Sequence, residues 1–343
     1  MTISMSSTAT YGVTAAFLDA LERLAIAETG SWWRDVLIHK DVFVAVRRNS
    51  LNVYHRGASI FRIDDNGTKT IRPKTHGKYL TRQQQALAEL LPDNSFALPP
   101  GGTAWLHYDG TTTLNDMLKS ASDLAGPEKT GLHPLVLGNP RVIDVEVSLE
   151  RAGSEGSDPT PSSASTKTSR DQDRLDVVTL EKRGSETFVV FHEAKHFSNP
   201  ALKAKTGATP AVINQIARYR KTLKHHAPQL RLRYIAACHA LSRIHEMRVS
   251  ARTLAADLTP PADLDSLIRA IAGGQSDLKI DPNPRLIVFG FDGDQKKGLL
   301  QSYLGSLRQA DPTLHIYAVG DPASAMGAFR PPTSSKLSPK NHA

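Results

Sequence analysis

Three charged residues near the middle of the chain have the types and the spacing that phosphodiester chemistry requires. Asp176 lies in one strand-like run, and Glu193 and Lys195 lie in the next. Two neighbouring carboxylates can hold a divalent cation through oxygen ligands at about 2.1 Å. An ammonium group beside them can orient the attacking water or neutralise charge that develops on the phosphate. These residue types therefore indicate metal-assisted hydrolysis of a phosphodiester.

A β-hairpin is the element that must bring the three residues together. Two strand-like runs, 175–181 and 187–195, are separated by a segment that contains Gly184-Ser185, and a glycine-first pair is typical of a type II′ turn. With that turn, Asp176 is directly opposed to Glu193, at a Cα separation of about 4.5 to 5.5 Å. The lysine two residues beyond Glu193 projects from the same face of the strand.

Other parts of the chain offer alternatives to this site. The acid-X-Lys pattern recurs at Asp277-Leu278-Lys279 and at Asp294-Gln295-Lys296, the second with Asp281 upstream. We expect the first in a polar linker and the second where a turn becomes a helix, so neither presents its acids from adjacent strands. A half-buried hairpin whose charged end is merely solvated is the structural alternative.

The segment after the hairpin predicts a helix over Pro210–Lys224, with Thr209 as its N-cap. Gln215 and Tyr219 are four residues apart and therefore share a face of this helix. The pattern fits an amphipathic helix with a solvated basic face, and it also fits a helix that lines a phosphate-binding groove. The basic residues in question are Arg218, Arg220, Lys221 and Lys224, with Lys203 and Lys205 in the loop before the helix.

In this order, the residues resemble the motifs of the PD-(D/E)XK nuclease superfamily, especially its RecB-like branch. Asp176, Glu193-Ala194-Lys195 and Gln215-Ile216-Ala217-Arg218-Tyr219 match the Asp, Glu-X-Lys and Gln-X-X-X-Tyr patterns. The resemblance covers about residues 141–237. It implies an α/β fold with a restriction-endonuclease-like core, in which helices flank a mixed central sheet.

The resemblance also implies roles for individual residues. It implies a magnesium site, with manganese as the alternative ion, and a nuclease that acts on DNA in restriction, phage defence or repair. The implied metal ligands are Asp176, Glu193 and the Ala194 carbonyl. Lys195 is implied as the catalytic lysine, and Gln215 and Tyr219 as residues that support the site or contact the DNA backbone.

Two features depart from the family pattern. Leu175 stands where the family often has proline before the first aspartate. The branch also often has a further metal ligand upstream, and the predicted strand Arg141–Glu150 has one polar face that could supply it. Glu146 is the candidate on that face, with Asp144 and Glu150 as alternatives, and an ordinary surface acid is the competing interpretation.

The rest of the chain suggests the domain organisation. We expect an N-terminal α+β region over residues 1–135, a nuclease-like domain over 136–325 with a disordered insertion at 152–173, and a disordered tail over 326–343. The N-terminal region should contain helices at Ala15–Glu28 and Thr81–Leu91 and a meander of Val42–Val46, Leu51–His55 and Ser59–Ile63. Beyond the motifs we expect a strand at Arg231–Ala237, helices at Ala240–Ala256 and Pro261–Ala272, and a strand–helix–strand unit of Leu286–Phe291, Gln295–Arg308 and Leu314–Val319.

Composition bounds the partners and the compartment. The formal net charge of +8 favours anionic partners, so DNA is expected and RNA is left open. Cys238 is the single cysteine, and the chain has no secretory signal pattern and no apolar run of spanning length, so we expect a cytoplasmic protein without membrane association. A homodimer, a larger complex and an inactive nucleic-acid-binding or assembly module all stay open. His192 and His196 should face away from Glu193.

Overall fold

The chain forms an α/β structure with two β-sheets and helices packed against them. The computed structural model describes residues 11–28, 30–67, 70–80, 87–97, 105–151, 172–204, 208–255, 258–322 and 329. Within those ranges, none of the helices combines the length and the apolar character that crossing a membrane requires.

The first sheet is antiparallel and contains six strands in chain order. Two helices, α1 (Ala15–Ala25) and α2 (Trp32–Ile38), precede it. Its strands are β1 (Phe43–Arg47), β2 (Ser50–His55), β3 (Ala58–Asp64), β4 (Pro73–His76), β5 (Leu87–Leu90) and β6 (Phe96–Ala97). A 3₁₀ turn, Gly77–Tyr79, follows β4. The predicted meander is confirmed, because β1, β2 and β3 pair in sequence across tight turns.

The predicted helix at Thr81–Leu91 is wrong over the part that the structure describes. Leu87–Leu90 forms β5, which pairs with β4 on one side and with β6 on the other. Leucine, alanine and glutamate are good helix formers, but intrinsic propensity is a small energy, and pairing with two neighbouring strands overrides it. Residues 81–86 lie outside the described residues.

The second sheet is mixed, as the sequence predicts. Two helices lead into it, α3 (Gly110–Asp123) and α4 (Pro127–Leu137). Its strands are β7 (Val142–Glu150), β8 (Gln172–Arg183), β9 (Glu186–His196), β10 (Leu278–Ile280), β11 (Arg285–Phe289) and β12 (Ile316–Val319). The first three are antiparallel, whereas β10 and β11 pair parallel to β9 and β12 pairs parallel to β11. All five residues of β11 are buried, as expected for a parallel strand covered on both faces.

The hairpin of β8 and β9 has the predicted register. Arg183 pairs with Glu186, Leu180 with Val189, and Val178 with Phe191. Gly184 has φ +61, which only glycine adopts readily and which the first position of a type II′ turn requires. The turn therefore sets which residues are opposed at the far end of the hairpin.

One long helix, α5 (Ala211–Leu254), replaces three predicted elements. The predicted helices at 210–224 and 240–256 are its two ends, and the predicted strand at Arg231–Ala237 is wrong. Buried residues recur there at helical spacing, at Leu230, Tyr234, Ala237 and Cys238. Pro228 lies inside the helix rather than ending it, and the Leu-Arg-Leu-Arg alternation after it imitates a strand for only four residues.

The C-terminal part contains three short helices. They are α6 (Ser266–Ala272), α7 (Gly293–Lys297) and α8 (Leu299–Ala310). The first is shorter than predicted, and Gly298 divides the predicted helix at 295–308 into the other two. Strand β10 was expected to be a polar linker, but it extends the sheet because Leu278 is buried beside β9.

The hydrophobic core is shared between the two sheets. One continuous cluster joins Trp33 and Phe61 of the N-terminal region to Phe191 and Tyr234 of the second sheet and its helix. The predicted boundary near residue 135 falls inside α4. Residues 152–171 of the predicted insertion lie outside the described residues, and its last two residues belong to β8. In the predicted tail only Phe329 is described, and its ring packs on His192 at 4.9 Å.

Candidate active site

Three carboxylates lie at the same level on three adjacent strands of the second sheet. Val145 and Val147 of β7 pair with Val177 and Leu175 of β8, which puts Glu146 level with Asp176. Beyond the last hairpin pair, Val177 with His192, the next residues along the two strands are Asp176 and Glu193. All three carboxylates are buried. Most of the residues next to them in the strands are apolar and pack in the core, so the acids stand out from their surroundings.

The backbone of β7 is distorted where it carries its acid. The pairing of β7 with β8 shifts register between Val142 and Asp144, and Glu146 has φ +53. A left-handed conformation at a residue other than glycine costs on the order of 1 kcal/mol, and such strain is concentrated at functional sites. The left-handed backbone of Glu146 therefore marks this level of the sheet as strained, although the pairs on either side, Val145 with Val177 and Val147 with Leu175, stay in register.

Lys195, Gln215 and Tyr219 meet around one oxygen of Glu193. The Lys195 ammonium forms an ion pair with Glu193 Oε1 and lies 3.7 Å from Glu128 Oε1. Gln215 Nε2 donates to the same Glu193 oxygen at 2.8 Å and lies 2.5 Å from the Tyr219 hydroxyl. That hydroxyl donates in turn to the Arg174 carbonyl at 2.5 Å. Helix α5 thus contacts the glutamate through Gln215, and Tyr219 joins that glutamine to β8.

Asp176 is held by a residue that the sequence analysis missed. Lys129 Nζ lies 2.7 Å from Asp176 Oδ1 and 2.5 Å from Glu146 Oε1, so one ammonium bridges the two acids. The Ala194 amide donates to Asp176 Oδ2 at 2.9 Å. Lys129 and its neighbour Glu128 lie in the first turn of α4. Pro127 is a helix-start signal, but nothing in the local sequence indicates that this turn reaches the hairpin.

The charges of this cluster do not balance. Four carboxylates (Glu128, Glu146, Asp176 and Glu193) share two ammonium groups, those of Lys129 and Lys195, with Arg174 3.9 Å from Glu146 at the exposed edge. Burial, and then the charge of Asp176, raise the pKa of Glu193 from 4.5 to about 8. Burial alone would lower the pKa of Lys195, but the neighbouring carboxylates outweigh it and raise that pKa. The lysine is therefore held charged while one acid is held partly protonated.

A cation would fit this donor set. Glu193 Oε2 is buried and accepts no hydrogen bond from any residue that the structure describes. Carboxylate oxygens are the ligands that magnesium prefers, and the surplus negative charge is what a divalent ion neutralises. As the side chains stand, the described His, Cys, Asp and Glu residues form no group of three or more that could hold a metal ion, and the Lys129 ammonium lies between two of the acids.

The alternative acids lie elsewhere. Asp144 forms an ion pair with Arg47 and lies near Arg233 and the Tyr234 hydroxyl, at 3.3 and 3.2 Å. It therefore fastens α5 and β1 to the sheet rather than joining the cluster, and the Glu150 side chain is exposed at the far end of β7. His192 packs on Phe329, and its ring lies 2.9 Å from the Thr179 hydroxyl, on the face away from Glu193.

The competing acid-X-Lys triples have structural partners. Asp277 pairs with Arg231, and Lys279 pairs with Glu186 at the turn end of the hairpin. Asp281 pairs with Arg183 in the same place, at 2.5 Å. The other triple begins α7, where Asp292 and Gln295 form a capping box. Asp277 lies level with Glu186, because Leu278 pairs with Thr187, but each of these two acids has its own basic partner.

The basic face of α5 is only partly solvated. Arg218 donates to Asp173 of β8 at 2.6 Å, and Arg220 donates to Asp311 at 2.6 Å. These two arginines therefore tie the helix to the sheet, while Lys221 and Lys224 are exposed. Lys203 is exposed as well, and Lys205 lies outside the described residues.

No family model matches this chain, and no curated protein or solved structure matches it at a significant level. The resemblance inferred from the motif residues thus stays an expectation.

Proposed function

We propose that this chain is a magnesium-dependent nuclease with a restriction-endonuclease-like core, and that it hydrolyses phosphodiester bonds of DNA. The observation that carries the proposal is the row formed by Glu146, Asp176 and Glu193 at one level of three adjacent strands. Lys195 forms an ion pair with the last of them, and the buried negative charge exceeds the positive charge. The order of the motif residues supports the assignment to the PD-(D/E)XK superfamily, in its RecB-like branch.

Magnesium would be held by Asp176 and Glu193, with the Ala194 carbonyl and Glu146 as further ligands. The unpartnered Glu193 oxygen and the raised pKa of its carboxyl support this set, because both describe an acid that lacks a full counter-charge. When bound, the ion supplies a Lewis acid that polarises the phosphate and lowers the pKa of water. Lys129 holds Glu146 and Asp176 at the level of the site from the other side.

Lys195 acts on the reacting phosphate in this proposal. Water attacks phosphorus, the bond to the leaving oxygen breaks, and negative charge grows on the phosphate oxygens. A charged ammonium beside those oxygens stabilises that change, and the carboxylates around Lys195 keep it protonated. Gln215 and Tyr219 are positioning residues, because they contact Glu193 and the Arg174 carbonyl.

One observation favours a second candidate, a non-catalytic nucleic-acid-binding or assembly module with the same fold. The Lys129 ammonium already bridges Glu146 and Asp176, and the described side chains offer no ready group of three metal ligands. If this bridge is permanent, the cluster is a structural ion network. Binding would then survive in the Asp176→Ala and Lys195→Ala proteins.

A cleavage assay decides between the two. Linear and circular DNA, and RNA of the same sequence, are incubated with wild type, Lys195→Ala and Lys182→Ala, with magnesium, with manganese and with EDTA. Lys182 is an exposed lysine on the same hairpin, so it controls for the lost charge. We expect metal-dependent cleavage of DNA by wild type and Lys182→Ala, and a rate at least about 100-fold lower for Lys195→Ala.

The proposal fails if wild type cuts nothing with either metal, or if Lys195→Ala cuts as fast as wild type. Cleavage of the circular substrate identifies an endonuclease, and cleavage of the linear substrate alone identifies an exonuclease. Preference for the RNA corrects the substrate and leaves the chemistry in place.

A further inference from the structure

A cavity of about 430 Å³ lies beside the carboxylates, and the N-terminal sheet supplies one of its walls. We call it the basic groove. The β2–β3 turn and the 3₁₀ turn Gly77–Tyr79 line one side, and the end of α3, the start of α4 and strands β7 and β8 line the other. No motif in the N-terminal region indicates a role for it, and this groove is where that region reaches the candidate site.

The groove is predominantly positive. Among the described residues that line it, four are basic and one is acidic. The basic residues are Arg56, Lys78, Lys129 and Arg174, and the acid is Glu146. Helix α4 also begins here, and its N-cap Gly126 provides no side-chain hydrogen bond to the first amides. The partial positive charge of a helix N-terminus attracts phosphate groups, and here Glu128 in the first turn offsets part of it.

The β2–β3 turn is strained where it faces the groove. Arg56 has φ +47 and Gly57 has φ +74, the two left-handed positions of a type I′ turn. Asparagine or glycine normally occupies the first position, and an arginine there costs about 1 kcal/mol. The Arg56 side chain recovers no hydrogen bond at Nε, which is buried and has no partner among the residues described.

The groove and the carboxylate cluster are continuous. A methyl group at Gly57 would lie 2.8 Å from Lys129 Cδ and 3.1 Å from Glu146 Oε1, so the turn packs directly on the cluster. Lys129 and Glu146 line the groove and also belong to the cluster. A chain of phosphates that lies in the groove would therefore run toward Asp176.

We propose that the basic groove binds the phosphodiester backbone of a nucleic-acid strand, with Arg56 and Lys78 of the N-terminal sheet as phosphate contacts. The inference rests on the proposed function, and it assigns the N-terminal sheet to substrate binding. These contacts carry no base specificity, because they meet the backbone alone. The strand that they hold is positioned for attack at the three carboxylates.

Binding in EDTA tests the groove without requiring catalysis. Fluorescence anisotropy measures the affinity of the full chain for labelled single-stranded and duplex oligonucleotides at several salt concentrations. The variants are Arg56→Gln and Lys78→Gln, and the controls are Arg62→Gln and Lys119→Gln, which remove exposed charges of the same region outside the groove. We expect each groove variant to bind several-fold more weakly, and its salt slope to fall by about 0.7 to 1 per lost contact, with both controls unchanged.

A further variant separates binding from folding. Arg56→Gly relieves the left-handed backbone, so its thermal midpoint should equal or exceed that of wild type, while its affinity should fall as in Arg56→Gln. The inference is overturned if wild type binds no oligonucleotide, or if the groove variants keep the wild-type affinity and salt slope.

The same proteins assayed for cleavage keep the two claims apart. Weaker binding by the groove variants, together with a wild type that cuts nothing, supports the groove and rejects the nuclease. Cleavage by wild type, together with unchanged binding by the groove variants, supports the nuclease and overturns the groove.

Discussion

Each end of the β8–β9 hairpin buries a glutamate among basic side chains, but the pKa of the glutamate is lowered at one end and raised at the other. At the turn end, Glu181 accepts hydrogen bonds from Arg183 at 2.6 Å and from Arg285 at 2.8 Å. Burial alone would raise the pKa of Glu181, but these arginines outweigh it and lower that pKa. At the open end, burial raises the pKa of Glu193 to about 8 despite the ion pair with Lys195.

The two glutamate side chains are both almost fully buried, and they differ in the cations that face them. At the turn end, the acids Glu181 and Asp281 face two arginines, so the charges balance. At the open end, four acids face two lysines, with Arg174 3.9 Å from Glu146 at the exposed edge. A buried acid without full compensation lowers stability, and folds retain such groups mainly where a bound ligand or a reaction uses them. This contrast supports the proposal that the turn end serves the fold and that the open end serves the reaction.

Replacing the glutamate at each end of the hairpin with glutamine should give the largest difference in cleavage rate. Glu193→Gln removes a charge that the proposed metal requires, so metal-dependent cleavage should fall at least about 100-fold. Glu181→Gln leaves the open end intact, so its rate per folded molecule should stay within about twofold of wild type. Initial cleavage rates at saturating DNA measure both, and equal losses at the two ends would break the comparison.

The free energy of unfolding should show the opposite pattern: Glu181→Gln should lower it more than Glu193→Gln does. Glu181→Gln leaves buried Arg285 without its charged partner, so the free energy of unfolding should fall by about 3 kcal/mol, the lower end of the range for a broken buried pair. Glu193→Gln should be no less stable than wild type at pH 8 without metal, because it removes an acid that burial disfavours in its charged form. Urea unfolding in EDTA measures both free energies.

The pH dependence gives the control for this prediction. Between pH 4.5 and about 8, folded Glu193 holds a proton that the unfolded chain releases, so wild-type stability should decline as pH rises through that window. Glu193→Gln should lack this part of the decline. The contribution of Glu181 has the opposite sign: its lowered pKa stabilises the fold above pH 4.5, and the gain is lost as pH falls below that value. A Glu193→Gln protein whose stability follows the same slope as wild type would contradict this account.

The hairpin end of the site could be predicted from sequence because its determinants are local. A glycine at the first turn position fixes the register, and alternation then places Asp176 opposite Glu193. Gln215 and Tyr219 follow from helical spacing. Glu146 was predicted as a candidate from the polar face of its strand, although its bulge and its left-handed backbone were not.

Other parts of the molecule depend on contacts between residues far apart in sequence. Lys129 is 47 positions from the aspartate that it contacts, and Arg56 reaches the groove through the packing of a separate sheet. The predicted helix ends at Lys224, yet tertiary packing carries α5 on through Pro228. No periodicity or turn signal in a single sequence contains these facts.

The smallest expected effect comes from alanine substitutions at two glycines. They test whether the candidate site at the open end of the hairpin includes the β2–β3 turn. Gly57 and Gly67 have nearly the same backbone, at φ +74 and +73, so alanine at either position should cost about 1 kcal/mol of stability. Only at Gly57 does the added methyl group press on Lys129 and Glu146, whereas at Gly67 it meets no described atom within 4 Å. Gly57→Ala should therefore lower the cleavage rate several-fold further than Gly67→Ala, at matched fractions of folded protein. If the two variants cleave equally fast, the N-terminal turn is not part of the site, and the functional end of the hairpin is confined to the second sheet.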